Sequence, residues 1–353
     1  MLDIIVEICL FLIIFTTIVV AHEGGHCIIA KKSGIRVHEF MVGVGPVLLE
    51  FTRNDTRYTL RLFPLGGACL YDSLDESDKN PEDEHSFANA PVWDRIATVF
   101  AGPFFNFLLA FFFSLFIVGS IGVDRPVIYA VMDDYPAKEA GIEAGDEIVS
   151  LNNEKIYLYR DISMFALFYK DGSSVDVTYK RDGQLYKTTI VPKYSEESER
   201  YLFGFAGSKG REKVGPLQVI AYSAYEVKYW IVSTIKSVGM LFSGEMSKDD
   251  LSGPVGVAQV VGKTYEDSKQ DGLFYIWLNM LNIAVLLSAN LGVMNLLPIP
   301  AFDGGRLVVL FVEVLRRKKA DMKVEAAINV VGMVAILALM GYVMVNDISR
   351  FFR

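Results

Sequence analysis

Cysteine is scarce and scattered. Cys9, Cys27 and Cys69 form an odd number at wide spacing, which suggests neither a disulfide framework nor a thiolate metal site, and each reads as a small buried apolar residue. Positive charge is short as well: a net charge of −8 and the lack of any basic stripe exclude nucleic acid as a partner. Only four histidines occur, so a metal site built on imidazole has few residues to draw on. What abounds is apolar surface. Hydrophobic residues fill 52% of the 353 positions and mean hydropathy is +0.32, too apolar for two or three soluble domains, so lipid is the expected solvent for much of the chain.

Four stretches, roughly 4 to 30, 96 to 120, 278 to 299 and 324 to 345, are long enough to cross a hydrocarbon core, which takes about 20 apolar residues in a helix. The first has no basic leader or small-residue cleavage site and contains a His-Glu pair, so a removable signal peptide is not expected. The third is broken by Pro298, Pro300 and then Asp303, Gly304 and Gly305, before a second apolar stretch from Leu307 to Leu315. Such a break survives at membrane depth only where protein or a watery cavity satisfies the freed backbone. Lys31, Lys32, Arg36, Arg53, Arg57 and Arg61 follow the first span, and Arg316, Arg317, Lys318, Lys319 and Lys323 lie between the third and fourth. The positive-inside rule puts both connections in the cytoplasm, and hence both termini and everything from 121 to about 277 outside. The acidic stretch from Asp72 to Glu84 adds little to that assignment.

Between the spans the chain is patterned. VLLEF and YTLRLF flank a turn at Asn54 and Asp55, which predicts a β-hairpin from Val42 to Phe63 that dips into the bilayer edge. From Val127 to Pro192 the composition becomes that of a small soluble α/β domain, with a helical patch at 136 to 148, a second helix near Ile162 to Tyr169, and strands VDVTYK and LYKTTIV joined at Arg181, Asp182 and Gly183. Residues 216 to 242 read as an amphipathic helix at the outer interface, anchored by Tyr222, Tyr225, Tyr229 and Trp230; a fifth span is the competing reading. The expected organisation is an N-terminal membrane core (1–120), an extracytoplasmic α/β domain (121–195), amphipathic linker helices (196–277) and a C-terminal membrane core (278–353).

The chemistry starts at residues 22 to 26, HEGGH. Histidines four apart share a helix face, so both imidazoles reach one Zn²⁺ while the intervening Glu23 stands beside the attacking water as general base. Three ionisable groups within five positions of an apolar helix are costly, roughly 2.5–3.5 kcal/mol each on insertion scales, which weighs against mere polar packing. A catalytic zinc site needs a third protein ligand. His38 and His85 lie in the first cytoplasmic loop with no evident partner, so a carboxylate is expected: Asp303 after the double-proline break, with Glu313 as weaker rival. Without the zinc motif Asp303 would read as a helix N-cap. Asn295 is a candidate to hold unwound substrate or the developing oxyanion, or else to cap backbone freed by Pro298. Gly43 and Gly45 in the hairpin's VGVGP segment are further candidate substrate contacts, and Asn106 reads as polar glue between helices.

HEGGH, VGVGP, GPFFNF (102 to 107), the PAKEAGIEAGDEI patch, LSGPVG (251 to 256) and NLLPIPAFDGG (295 to 305) resemble the site-2 protease family, in its bacterial regulator-of-sigma branch with an inserted PDZ domain. The motifs run in family order over nearly the whole chain. The resemblance implies a polytopic α-helical membrane protein of about four transmembrane helices, a membrane-reentrant β-hairpin at about 42 to 69, and an extracytoplasmic PDZ domain. It implies that His22, His26 and Asp303 bind zinc, that Glu23 is the catalytic acid/base, and that Asn295 helps to position substrate. It further implies a bacterial cytoplasmic membrane location, an active site near the cytoplasmic face, and single-span membrane substrates such as anti-sigma factors or remnant signal peptides, trimmed beforehand by a site-1-type protease. The chain departs from the family in having room for one PDZ domain where some relatives carry two, and in Gly24, where a bulkier residue is usual. The competing readings are a membrane-anchored peptidase acting on soluble peptides and a non-catalytic PDZ-containing scaffold.

Overall fold

The computed structural model describes residues 2–71, 84–198, 200–208, 210–245, 253–319 and 322–351; most of the acidic stretch after Asp72 and the start of the LSGPVG segment lie outside the described residues. The chain divides into two compact units, Met1–Phe113 with Val238–Arg353, and Ser114–Ser237.

Helix α1 (Leu2–Lys32) leads into the strands β1 (Val37–Arg53) and β2 (Thr56–Tyr71), followed by α2 (Val92–Ile121). The second unit contributes β3 (Ile128–Val131), α3 (Pro136–Glu139), β4 (Glu147–Leu151), β5 (Glu154–Lys155), α4 (Tyr159–Phe168), β6 (Val175–Arg181), β7 (Gln184–Ile190), β8 (Lys193–Ser195), β9 (Arg200–Leu202) and β10 (Phe205–Ser208). Then come α5 (Pro216–Ser243), α6 (Pro254–Ser268), α7 (Leu273–Leu296), α8 (Asp303–Arg316) and α9 (Met322–Phe351). Helices α1, α2, α7 and α9 are long and apolar enough to cross a membrane; α5 is not among them.

The hairpin turns at Asn54 and Asp55, both in the left-handed region that a two-residue turn requires. It is longer than the sequence pattern suggests and folds back on itself: Val42 pairs with Leu60 and also with Gly67, so Val37–Val42 runs between two segments of β2. Gly67–Tyr71 becomes an outer edge, with no further strand beside it among the described residues. Val44, Leu48, Leu49, Phe51, Leu62 and Phe63 are exposed, an apolar surface unsuited to water.

In the second unit β5, β4, β6 and β7 form an antiparallel sheet over a core that includes Ile148, Leu151, Val175, Val177 and Ile190. The helix expected over 136 to 148 is a single turn, because Gly141 and Gly145 adopt positive φ and end it before β4 begins. On α5, Glu226 is buried and accepts a hydrogen bond from Arg160 at 2.8 Å.

Candidate metal centre

One unbroken helix carries His22 and His26, so the two imidazoles lie one turn apart on a single face, edge to face at 89°, their Nε2 atoms 3.3 Å from each other. The third group arrives from far along the chain. Pro298 and Pro300 cannot continue α7, which ends at Leu296, and the backbone reverses through Ala301 at φ 74°, a conformation costly for a residue with a Cβ and typical of functional turns. Helix α8 then starts at Asp303. Phe302, not Asp303, holds the N-cap position, so the carboxylate is not committed to helix capping. Asp303 Oδ2 lies 3.2 Å from His22 Nε2 and 3.3 Å from His26 Nε2.

This triangle suits a metal ion on two counts. Ligand atoms about 2.0–2.1 Å from a tetrahedral zinc ion stand about 3.3 Å apart, matching the observed 3.2–3.3 Å edges. Asp303 Oδ2 is also a buried atom without a hydrogen-bond partner, as expected of an oxygen that faces a cation. His22, His26 and Asp303 together can therefore hold a metal ion.

Helix α2 supplies the support. His26 Nδ1 donates to the carbonyl oxygen of Thr98 at 2.9 Å. A carbonyl only accepts, so Nδ1 keeps the proton and Nε2 turns its lone pair toward the triangle. The helices approach closely because two glycines allow it: a Cβ on Gly25 would sit 2.5 Å from the Ala101 carbonyl oxygen, and one on Gly102 would sit 2.2 Å from His26 Nε2. Gly24, the unusual residue of the motif, faces open space instead.

A cavity of about 360 Å³ opens on the triangle. Glu23 lines it beside the histidines, and β2 passes so close that a Cβ on Gly67 would sit 3.1 Å from Glu23 Cγ. Asn295 lines it too, its Nδ2 3.5 Å from His22 Nε2. Gly43 and Gly45 do not; they lie at positive φ against Phe63, and the strand residues on the cavity are Gly66, Gly67, Ala68, Cys69 and Tyr71. Glu313 is no ligand to this triangle: both its oxygens accept from Arg95, at 2.6 and 3.1 Å. His85 is not partnerless, since its Nδ1 hydrogen-bonds the Gly34 carbonyl oxygen at 2.9 Å. Sequence reasoning missed Thr98, which acts through its backbone and so leaves no signal in its side chain. It also passed over Arg306, which lines the cavity three residues after Asp303 and thus shares its helix face.

A histidine pair and a remote aspartate among apolar helices are a donor set that would suit a metallopeptidase set in a membrane. Comparison with known proteins agrees. The pattern of peptidase family M50 matches residues 10–339. A Clostridium acetobutylicum chain, named provisionally as a zinc metalloprotease, is 31% identical over 342 residues, covering 97% of both chains. The regulator of sigma-W protease RasP of Bacillus subtilis is 29% identical over 422 residues, covering 97% of this chain and 98% of its own. A solved PDZ domain from a Listeria monocytogenes SdrC-like protein covers 23% of this chain and 83% of its own, at 20% identity and a TM-score of 0.21, too slight a likeness to support anything further. The chain belongs to peptidase family M50: it is a multi-pass membrane zinc metalloendopeptidase of the site-2 protease type.

Proposed function

We propose that His22, His26 and Asp303 hold the zinc ion, that Glu23 is the proton carrier, and that the enzyme hydrolyses peptide bonds within transmembrane segments of single-span membrane proteins. The convergence of three donor atoms from residues 22, 26 and 303 on one point carries this reading. Bound there, zinc polarises the attacking water and the scissile carbonyl. Glu23 takes one proton from that water as the new C–O bond forms, and returns it to the amide nitrogen as the C–N bond breaks. Asn295 offers an amide at the cavity wall for the carbonyl oxygen as it gains charge.

A helical substrate hides its scissile bond in backbone hydrogen bonds, so it must unwind first. The outer edge of β2 at Gly66–Cys69 runs along the cavity, where an unwound segment can add as a further strand and regain those bonds. The apolar exposure of the hairpin supports a place inside the bilayer edge. Lys31 and Lys32 in the last turn of α1, and the Arg316–Lys319 cluster at the end of α8, favour a cytoplasmic membrane orientation with the zinc site near the cytoplasmic face and the domain expected over 121–195, a single PDZ domain in this reading, outside. That unit would then screen the ectodomains of anti-sigma factors or remnant signal peptides, admitting those already trimmed by a site-1-type protease.

The test is cleavage of a transmembrane reporter in proteoliposomes by wild type and Glu23→Gln. The expected result is cleavage by wild type alone, with equal zinc in both proteins. Equal cleavage by the two would remove Glu23 from the mechanism, and cleavage confined to soluble peptides would remove the intramembrane substrate.

A further inference from the structure

We infer that Asn106 is the positioning residue for His22: its side-chain oxygen accepts the imidazole Nδ1–H and thereby leaves Nε2 bare on the metal side. The inference rests on the zinc site proposed above and asks what orients its first ligand. Asn106 stands on α2, fully buried at 0% exposure, with its amide placed Nδ2 toward the ring, 3.1 Å from His22 Nδ1, so the inferred bond exchanges the two ends of the amide without moving the side chain. Its backbone is pinned from α7, where Ser288 Oγ donates to the Asn106 carbonyl oxygen at 2.8 Å.

A helix-bridging role is the alternative, and the hydrogen bonds speak against it for this side chain. The other end of the amide is a buried atom with no partner among the described residues, so the imidazole is the one group the amide engages. Burying an amide costs free energy unless its hydrogen bonds are replaced, and a residue kept only to join helices would be expected to use both ends. Helix joining is already served by the Ser288 contact to the backbone.

The direction of the hydrogen bond follows from chemistry. Amide oxygen and nitrogen are assigned from their surroundings, and the two orientations have opposite consequences. With Nδ2 toward the ring, Nδ1 would accept, and a neutral imidazole would carry its proton on Nε2, which points at His26 Nε2 and Asp303 Oδ2. With Oδ1 toward the ring, Nδ1 carries the proton and Nε2 is free to ligate. Only the second is compatible with a neutral His22 donating to zinc. It also makes the two histidines alike, since His26 Nδ1 donates to the Thr98 carbonyl oxygen in the same sense. Helix α2 would thus set both tautomers, through a backbone oxygen at Thr98 and a side-chain oxygen two turns later at Asn106.

The test is zinc affinity by chelator competition on the purified full-length protein, with the cobalt(II) absorption spectrum as a readout of ligand geometry that a merely structural role would not move. Asn106→Leu removes the acceptor at similar volume, and Asn106→Asp keeps an acceptor while abolishing the donor. The expected result is zinc binding about 10–100-fold weaker, with altered cobalt bands, in Asn106→Leu, and binding at least as tight as wild type with unaltered bands in Asn106→Asp. Wild-type affinity in Asn106→Leu, or equal loss in both variants, overturns the inference. His22→Ala separates the two levels: if it keeps full zinc the site itself is wrong, whereas a zinc-free His22→Ala beside an unaffected Asn106→Leu refutes the role of Asn106 alone.

Discussion

Arg95 grips Glu313 with both arms of its guanidinium, at 2.6 and 3.1 Å, across 218 residues of sequence, and both side chains are buried. Arg95 lies one turn before Thr98 on α2, and Glu313 lies on the helix that begins with Asp303, so the pair ties the aspartate's helix to the histidines' support. Removing one partner strands a charge in an apolar interior, at a cost of about 3–5 kcal/mol, whereas replacing both with apolar residues is often neutral. Arg95→Met and Glu313→Leu are each expected to lower the thermal midpoint in detergent and to loosen zinc, and the double variant to recover most of the midpoint. A thermal-shift series with zinc analysis of each variant checks this.

Gly102→Ala is expected to disable the site without replacing any of the proposed ligands. Its Cβ would press on both imidazoles, 2.2 Å from His26 Nε2 and 2.9 Å from His22 Cε1, and backbone displacement to relieve such overpacking costs about 1–3 kcal/mol. Zinc content should fall well below one ion per chain. Gly24→Ala, in the same motif but facing open space, should retain full zinc and full cleavage.

The pH dependence of the α/β unit can be signed from Asp161. Its Oδ2 accepts the backbone N–H groups of Tyr157 and Leu158 at 2.9 and 3.0 Å, yet burial pushes the carboxyl above its ordinary 3.8. A raised carboxyl favours the folded state fully only below its unfolded pKa, and that contribution is lost as pH rises through the folded value. Asp161→Asn mimics the protonated form, so it should strengthen protection of α4 at neutral pH, with the advantage shrinking on acidification and gone below about 3.8. Hydrogen exchange of α4 amides in the full-length protein measures it.

Strand addition at the β2 edge predicts a selective defect. Ala68→Pro removes a backbone donor beside the cavity and should reduce cleavage of a helical transmembrane reporter while zinc stays at wild-type content. Helix-breaking residues placed next to the scissile bond should restore part of the rate. Unchanged cleavage in the variant, with no benefit from helix breakers, would dismiss the edge as a substrate platform.

Much of this architecture is legible in the amino-acid order because lipid imposes simple rules. Apolar runs of span length, a two-residue Asn54–Asp55 turn and the four-residue spacing of His22 and His26 are local patterns. Asp303 stands out because ionisable groups are rare in such segments. What escapes local reading depends on which helices touch. Nothing in the composition of α2 reveals that Thr98 offers a backbone oxygen to His26, that Glu313 will find Arg95, or that Asn106 meets the His22 imidazole. The helix expected over 136 to 148 fails for a local reason given too little weight, the paired glycines at 141 and 145. The doubling back of β2, which brings Gly66–Cys69 instead of Gly43 and Gly45 to the cavity, is a long-range pairing that no alternation pattern encodes.

The most direct measurement is X-ray absorption at the zinc edge on the purified full-length protein. Two imidazole nitrogens and carboxylate or water oxygen, all at about 2.0–2.2 Å, are expected in wild type, with one imidazole fewer in His26→Ala and loss of the ion in Asp303→Asn. A sulfur shell at about 2.3 Å, or an unchanged spectrum when Asp303 is replaced, would contradict a zinc centre built on residues 22, 26 and 303.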